Sequence, residues 1–466
     1  MLEVAAAVSL GATACAPTAG VRDGRHGPSA RPPHLLFILA DDLGWGDLSA
    51  YGRSDYATPV IDALAYQGVR LTQAYANSSV CTPTRVALLT GRYQQRLRVG
   101  VEPPIPWARW APSGGFPGLP PEHPTIASLL KTAGYRTALI GKWHVGYLPQ
   151  YGPLKSGFEQ FFGIFGGGVD YFSHTDGAGD PDLWEGETPV QRVGYLTDLI
   201  SDRAVDFIRR HARSSTPFYL SVNYTAPHWP WQGPGDARLS ASSFAAQQLD
   251  GGSPAVFAEM VERLDQGLGR LLEVLDESAV SRDTLVVFTS DNGGERFSNM
   301  SPFAGRKGSV YEGGHRVPAI VRWPGVVPER SISQQVAMTF DWMATLLAAA
   351  GISPHPGYPL DGIDLLPLLK SGAGAASEPR QLFWRIGGQR AARAGDLKYL
   401  AVSSPEQVLT AGGASAGALG LELLFDLATD PGESVNLLAL RPDDGDRLRA
   451  AWATWNANML PVPRAL

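Results

Sequence analysis

From His34 onward the chain alternates short, wholly apolar runs with longer stretches in which apolar residues recur every three or four positions. The first pattern suits strands buried on both faces of a sheet, and the second suits amphipathic helices. Strands are predicted at His34–Ala40, Tyr135–Ile140, Phe218–Tyr224 and Thr284–Thr289, with a further one at Val317–Trp323. Helices are predicted over Thr58–Gly68, Thr125–Gly134, Asp198–Ala212, Pro254–Glu277 and Thr339–Ala350. In the first of these, Thr58 is the expected N-cap, Pro59 the first helical residue and Gly68 the stop. Such alternation implies an α/β fold, a mainly parallel sheet with helices on both faces. The small-residue run Gly372–Pro379 interrupts it. Beyond lie three antiparallel strand candidates, Gln381–Ile386, Gln389–Val402 and Leu421–Leu427, with Ala411–Gly420 as a hairpin loop and Asp443–Met459 as a closing helix. Three segments follow: residues 1–33, a signal-like segment and linker; 34–371, the main α/β domain; and 380–466, a small antiparallel-sheet-and-helix subdomain.

Four of the apolar strands run straight into polar clusters. His34–Ala40 meets Asp41-Asp42, and Tyr135–Ile140 meets Gly141-Lys142-Trp143-His144. Phe218–Tyr224 meets Thr225-Ala226-Pro227-His228, and the strand from Thr284 meets Asp291-Asn292-Gly293-Gly294. Ligands of open parallel sheets bind at the carboxyl ends of the strands, so these clusters are expected on one edge. Asp41, Asp42, Asp291 and Asn292 offer only oxygen, a donor set for Ca²⁺ or Mg²⁺ rather than zinc. Taken singly, each pair also fits a turn or a helix cap. Lys142 and His144 share a face of an extended segment and suit an anionic substrate, with His144 able to move protons near neutrality. Arg85 is placed to clamp an anion or orient residue 81. Lys307 sits in the glycine-rich loop Gly305–Gly314, where the backbone can approach a ligand closely. His228 precedes Trp229-Pro230-Trp231, a leaving-group acid beside an aromatic platform for a sugar ring or aryl group.

Composition adds little to this and removes some alternatives. The net charge of -6 and the lack of a long basic run argue against a nucleic-acid partner. The 53 glycines and 37 prolines fit long ordered loops, where sites are usually carried. Met1–Gly20 is rich in Ala, Val and Leu, and Ala12-Thr13-Ala14 before Cys15 has the form of a signal cleavage site. Cys15 would alternatively carry a lipid anchor. Either implies export to the periplasm or the extracellular space, although Glu3 and the lack of Lys or Arg depart from the usual signal. No apolar run after residue 20 is long enough to span a membrane.

Cys81-Thr82-Pro83-Thr84-Arg85, within Ser79–Gly91, carries the pattern Cys-x-Pro-x-Arg. As local structure it fits a helix start with Pro83 in the first turn. It also resembles the signature of the formylglycine-dependent (type I) sulfatases, of the arylsulfatase and carbohydrate-sulfatase kind. In that family a formylglycine-generating enzyme oxidises this cysteine to an aldehyde. Further segments resemble the same family: Gly134–His144, Ser290–Gly294, the Gly305–Gly314 loop, and the tail with Leu423–Leu427, Asp430-Pro431 and Asn436-Leu437. The resemblance implies an alkaline-phosphatase-like α/β sandwich, with 34–371 as its catalytic domain, acting on a sulfated small molecule or glycan. It also implies site roles. Asp41, Asp42, Asp291 and Asn292 would bind Ca²⁺, with Mg²⁺ as the alternative, together with an oxygen of modified Cys81. Lys142 and Lys307 would hold the sulfate, and Arg85 would orient the nucleophile. Asp291 would deprotonate the attacking hydroxyl of the hydrated aldehyde. His228 with Lys307 would protonate the departing alcohol, and His144 would take a proton as sulfate is expelled. A disulfide between Cys81 and Cys15 would consume the thiol and is not expected. A serine that some arylsulfatases place against sulfate has no clear counterpart in Phe165–His174. Glycine amides are expected to substitute there; alternatively Asp170, Tyr171 and His174 help read the substrate, and Trp229 is a further substrate-contact candidate. Two other readings compete. One is a phosphonate or phosphate ester hydrolase of the same superfamily, although its two-zinc phosphatases carry Asp-His where this chain has Asp291-Asn292. The other is a non-catalytic, sulfated-glycan-binding protein.

Overall fold

The computed structural model describes residues 31–101, 104–111, 115–240, 243–244, 250–372, 380–402 and 420–461. The signal-like segment with Cys15, and the Ala411–Gly420 loop up to its last residue, lie outside them. The strands are β1 (His34–Ala40), β2 (Val69–Tyr75), β3 (Arg136–Lys142), β4 (Gln160–Ile164), β5 (Trp184–Glu185), β6 (Thr188–Pro189), β7 (Phe218–Asn223), β8 (Thr284–Ser290), β9 (Arg316–Arg322), β10 (Ser331–Ser333), β11 (Ala337–Met338), β12 (Gln381–Ile386), β13 (Gln389–Ala394), β14 (Leu397–Val402) and β15 (Leu421–Asp426).

The large sheet runs β10-β2-β9-β8-β1-β7-β3-β4-β5-β6, with β11 on β2. The four strands that end in polar clusters, β8, β1, β7 and β3, are consecutive and mutually parallel. Their register pairs Ala40 with Ser290, Leu39 with Asn223, and Asn223 with Gly141. Tyr224 and Lys142 therefore lie level with Ala40 at the sheet edge, and Asp41 and Asp291 follow one step beyond. Every residue of β1 is buried, as a two-faced central strand requires. Leu36 and Ile38 enter the core beneath the helices Leu196–His211 and Pro254–Glu277. Leu35, Phe37 and Leu39 enter the opposite core beneath Cys81–Thr90, Ile126–Thr132 and Asp341–Ala349. The expected two-sided α/β layering is present.

Some local expectations change. The segment Val317–Trp323 does form a strand, β9, but it runs antiparallel to both β2 and β8. Strands β2 and β4 carried no expectation, because Arg70, Thr72 and Gln73, and the glycine in β4, break the apolar run. Thr58 does not cap its helix with its side chain. The amides of Val60 and Ile61 donate to Asp265, 3.1 and 2.8 Å away, on the helix Pro254–Glu277. Gly68 marks close approach rather than a cap, since a Cβ there would sit 2.1 Å from the Val321 carbonyl oxygen. Gln389–Val402 is two strands, turned at Gly395 with φ of 59°. The turn sits in Ala394-Gly395-Asp396-Leu397, a tight hairpin signal that the surrounding apolar residues masked.

Strands β12-β13-β14-β15 form a separate antiparallel sheet. With the helix Pro442–Ala457 it packs against Tyr75, Ala87, Val310 and Tyr311 of the main domain through a third core. This subdomain therefore abuts both the helix that begins at Cys81 and the loop that carries Lys307.

Candidate active site

The row of strand ends collects a buried cluster of opposite charges. Asp41, Asp42, Asp291, Asn292 and Lys142 are all fully or almost fully buried. Asp41 accepts from Lys142 Nζ at 2.5 Å, and Asp42 accepts from Lys307 Nζ at 2.6 Å and Asn292 Nδ2 at 2.7 Å. Arg85 donates to Asp291 through Nε at 3.0 Å and Nη2 at 2.8 Å, and its Nη1 reaches the Lys142 carbonyl at 3.0 Å. Buried charges persist only when paired and hydrogen-bonded in this way. Asp42 and His144 both adopt positive φ, 63° and 55°, a sparsely populated conformation held here by the surrounding packing.

Cys81 opens the helix Cys81–Thr90, with Val80 as an extended N-cap. Its Sγ lies 3.6 Å from Asp41 Oδ1. Burial pushes the thiol pKa well up, more than the nearby lysines pull it down, so the sulfur is neutral. Burial and the adjacent Asp41 carboxylate push Asp291 up to about 6. Burial acts the same way on Asp42, but the Lys307 and Lys142 ammonium groups overcome it and hold that group at about 2. Burial opposes charge on Lys307 too, yet Asp42 keeps it firmly protonated.

The two histidines are fixed in complementary tautomers. His144 Nε2 faces the Ile105 carbonyl at 2.9 Å, so Nε2 carries the proton and Nδ1, buried without a partner, presents a lone pair. His228 Nδ1 faces the Trp229 carbonyl at 2.5 Å, which leaves Nε2 directed towards Asp42, 3.6 Å away. Burial, together with Lys142 for His144 and Lys307 for His228, holds both rings neutral.

The donor chemistry fits a hard cation. Ligand atoms of Asp41, Asp42, Cys81 and His228 lie within 4.8 Å of one another. Asn292 Oδ1 is buried beside them with no hydrogen-bond partner. An unpartnered buried carbonyl oxygen beside carboxylates is chemically suited to serve as an oxygen donor to such a cation.

A cavity of about 290 Å³ opens over Cys81, His144, His228 and Lys307. Trp229 lines it, half-buried and stacked on His228 with ring centroids 5.0 Å apart. Trp231 instead packs into the core against Phe297. The structure thus brings together Asp41, Asp42, Cys81, Arg85, Lys142, His144, His228, Trp229, Asp291, Asn292 and Lys307. It does not bring Asp170 or His174 to the cavity, which corrects the substrate-reading expectation for both. Asp170 is fully buried and accepts from the amides of Phe172 and Ser173 and from Gln232, so its oxygens tie loops together. His174 is buried behind the same loop. The glycines Gly167 and Gly168 do face the site. A Cβ on Gly167 would sit 2.9 Å from His144, and one on Gly168 would sit 3.2 Å from His228. Trp107, Trp110 and Glu295 also line the cavity and were not anticipated. The tryptophans' only signal was their place in a proline-rich stretch without helical or strand period, while Glu295 directly follows the Asp291–Gly294 cluster.

The sulfatase family model matches residues 33–352 of this sequence. The chain belongs to the sulfatase family. The N-acetylgalactosamine-6-sulfatase of Canis lupus familiaris is 34% identical over 365 residues, 73% of this chain and 67% of that protein. Arylsulfatase A of Homo sapiens is 34% identical over 462 residues, 88% of this chain and 84% of that one. Among solved structures, Ps i-CgsB in complex with k-i-k-neocarrahexaose superposes with a TM-score of 0.77 at 29% identity, covering 92% of this chain and 94% of that one. This sulfatase is a sulfuric ester hydrolase. The sulfatase relatives favour sulfate over the phosphonate and phosphate ester readings.

Proposed function

We propose that this sulfatase hydrolyses a carbohydrate sulfate, with residue 81 working as formylglycine and Ca²⁺ held by Asp41, Asp42, Asp291 and Asn292. The observation that carries this reading is the mismatch at residue 81. A neutral thiol is a poor nucleophile and a poor ligand for a hard cation, yet it sits 3.6 Å from the Asp41 carboxylate, grouped with Asp42 and His228. An oxygen-bearing side chain at that position removes the mismatch. The names of the relatives, one a hexosamine sulfatase and one a structure holding a carrageenan-type oligosaccharide, support a sugar substrate.

The hydrated aldehyde supplies two hydroxyls where the thiol has one weak donor, and Ca²⁺ supplies positive charge to the sulfate oxygens. The remaining work falls to side chains already in place. Lys142 and Lys307 meet the anionic sulfate and neutralise charge as it develops. Arg85, fixed between Asp291 and the Lys142 carbonyl, orients the side chain at position 81. Asp291, whose charge is felt at residue 81, accepts the proton of the attacking hydroxyl. His228 starts neutral because burial and two lysines disfavour its charge. An anionic ester seated on those lysines offsets their field, so Nε2 takes up the proton it passes to the departing alcohol. His144, with its lone pair on Nδ1, accepts the proton released as sulfate leaves.

The N-terminal segment fits an exported enzyme, and no helix among the described residues is long and apolar enough to cross a membrane. A formylglycine-generating enzyme is the maturation partner this reading requires. The test is sulfate release, measured by ion chromatography, from monosulfated hexoses and hexosamines and from an aryl phosphonate, using protein co-expressed with that enzyme. Release from a sugar sulfate at a higher kcat/KM than phosphonate hydrolysis is expected. A preparation with modified residue 81 that binds sulfated glycan but releases nothing would return the glycan-binding reading.

A further inference from the structure

Three tryptophans line the cavity, Trp229, Trp107 and Trp110, and the buried Phe244 backs two of them. Trp229, stacked on His228, contacts Phe244 at 5.4 Å between ring centroids. Phe244 contacts Trp107 at 5.8 Å, and Trp107 contacts Trp110 at 4.7 Å. Trp110 is 59% exposed at the cavity mouth. Trp107, Trp110 and Trp229 thus expose aromatic surface within one cavity, rather than as a lone surface ring.

The wall is also built rather than loosely draped. Gly177 makes room for Trp107, since a Cβ there would lie 2.1 Å from its ring. Arg109, between the two tryptophans, donates to the Ala178 carbonyl at 2.9 Å and pairs with Asp180. Asp176 holds that turn by accepting from the amides of Ala178 and Asp180. On the other side the Ile105 amide donates to Thr82 Oγ1, and Tyr147 donates to the Pro106 carbonyl. The platform is thus braced both to the helix that carries Cys81 and to the loop beyond it.

Charge narrows what the platform can accept. Among the described residues lining the cavity, Lys307 is the single cationic side chain, and it is engaged by Asp42 and by Glu295. Glu295, 3.4 Å from Lys307 Nζ, adds a carboxylate to the lining. The other described lining residues offer a second anion no cationic partner; Arg109, between the tryptophans, is engaged by Asp180 and the Ala178 carbonyl, and Pro104, Ile105 and Pro106 present apolar surface. We propose that Trp107 and Trp110 form a subsite that stacks an uncharged sugar ring linked to the sulfated one, so that this enzyme selects sparsely sulfated oligosaccharides over densely sulfated ones. This rests on the carbohydrate reading above and adds the length and charge pattern of the substrate.

The test compares kcat/KM for three probes: a monosulfated galactose or N-acetylgalactosamine, the same sugar in a disaccharide with an unsulfated neighbour, and that disaccharide with a second sulfate on the neighbour. Wild type is expected to favour the monosulfated disaccharide over both. Stacking of this kind supports a change of up to about tenfold. Trp110→Ala should therefore lower the disaccharide-to-monosaccharide ratio about tenfold, mainly through KM, and Trp110→Phe should restore most of it. An unchanged ratio in Trp110→Ala, or equal turnover of the doubly sulfated disaccharide, overturns the subsite. Hydrolysis of 4-nitrophenyl sulfate with no sulfate release from any sugar would instead overturn the carbohydrate reading, and the subsite with it.

Discussion

Gln389 lies in the C-terminal subdomain, yet it should control catalysis. This buried residue begins β13 and uses both ends of its amide on the lysine loop. Its Oε1 accepts from the Val310 amide at 3.2 Å, and its Nε2 donates to the Gly308 carbonyl at 2.8 Å. The Gly308 amide in turn donates to the Ser79 carbonyl at 2.8 Å, two residues before Cys81. In Gln389→Leu both hydrogen bonds disappear and two buried backbone groups lose their partners. Each unpaired group costs about 1–3 kcal/mol, so the loop loses about 2–6 kcal/mol of local support. Other ties remain, from the Lys307 amide to Gly294 and from the Gly313 amide to Ala304, so the loop shifts rather than unfolds. A displacement of Lys307 by about an ångström costs on the order of a hundredfold in rate. The expected result with 4-nitrophenyl sulfate is a kcat/KM lowered about ten- to a hundredfold. The melting temperature should fall by only several degrees, because about 2–4 °C accompanies each kcal/mol even in chains of half this length. Wild-type kcat/KM with a lowered melting temperature would show that Gln389 merely stabilises the subdomain, and would refute the coupling.

Cys81→Ala should abolish turnover while leaving the melting temperature within about 2 °C of wild type, since the lost sulfur has no strong partner. Normal sulfate release by that variant in a purified assay would remove residue 81 from the mechanism. Calcium should raise the melting temperature of wild type by mass action and should not raise that of Asp291→Ala, which would also be inactive; equal calcium shifts in scanning calorimetry would contradict the ligand assignment. His34 provides a test of pH dependence remote from the site. Burial lowers its pKa to about 4, and its Nδ1 accepts from the Phe218 amide at 3.1 Å. The unfolded chain then binds the proton that the folded chain refuses, so stability contributed by neutral His34 is complete above pH 6.5 and is lost as pH falls towards 4. His34→Gln should lose up to about 3 kcal/mol less than wild type between pH 7 and 4 in urea unfolding, at 1.36 kcal/mol per pH unit. Parallel stability curves for the two proteins would show that the ring charges freely in the folded state.

The parts of the site legible in the sequence were those that hang from regular strands. Asp41, Lys142, His228 and Asp291 follow apolar runs, and the parallel register of β8, β1, β7 and β3 converts that sequence position into spatial convergence. Lys307 was legible for a different reason, the glycines that let its loop pass close to Ser79 and Gly294. What stayed hidden depends on packing between distant segments. The cap supplied by Asp265 to the helix Pro59–Tyr66 comes from about two hundred residues away, so local capping rules assigned the role to Thr58 instead. Asp170 looked like a free carboxylate beside glycines, and only the folded loop shows its oxygens consumed by amides and Gln232. The Trp107–Trp110 wall has no periodicity, and its position at the cavity follows from the braces at Gly177, Arg109 and Tyr147.

The identity of the side chain at position 81 is the point on which the rest turns. Mass spectrometry of the tryptic peptide Leu71–Arg85, from protein co-expressed with a formylglycine-generating enzyme and active on a sulfate ester, measures it directly. The expected peptide carries an aldehyde at residue 81, trapped as a hydrazone, in proportion to specific activity across preparations. Full activity in a preparation whose residue 81 is entirely unmodified thiol would contradict the mechanism and return Cys81 to the chemistry of sulfur.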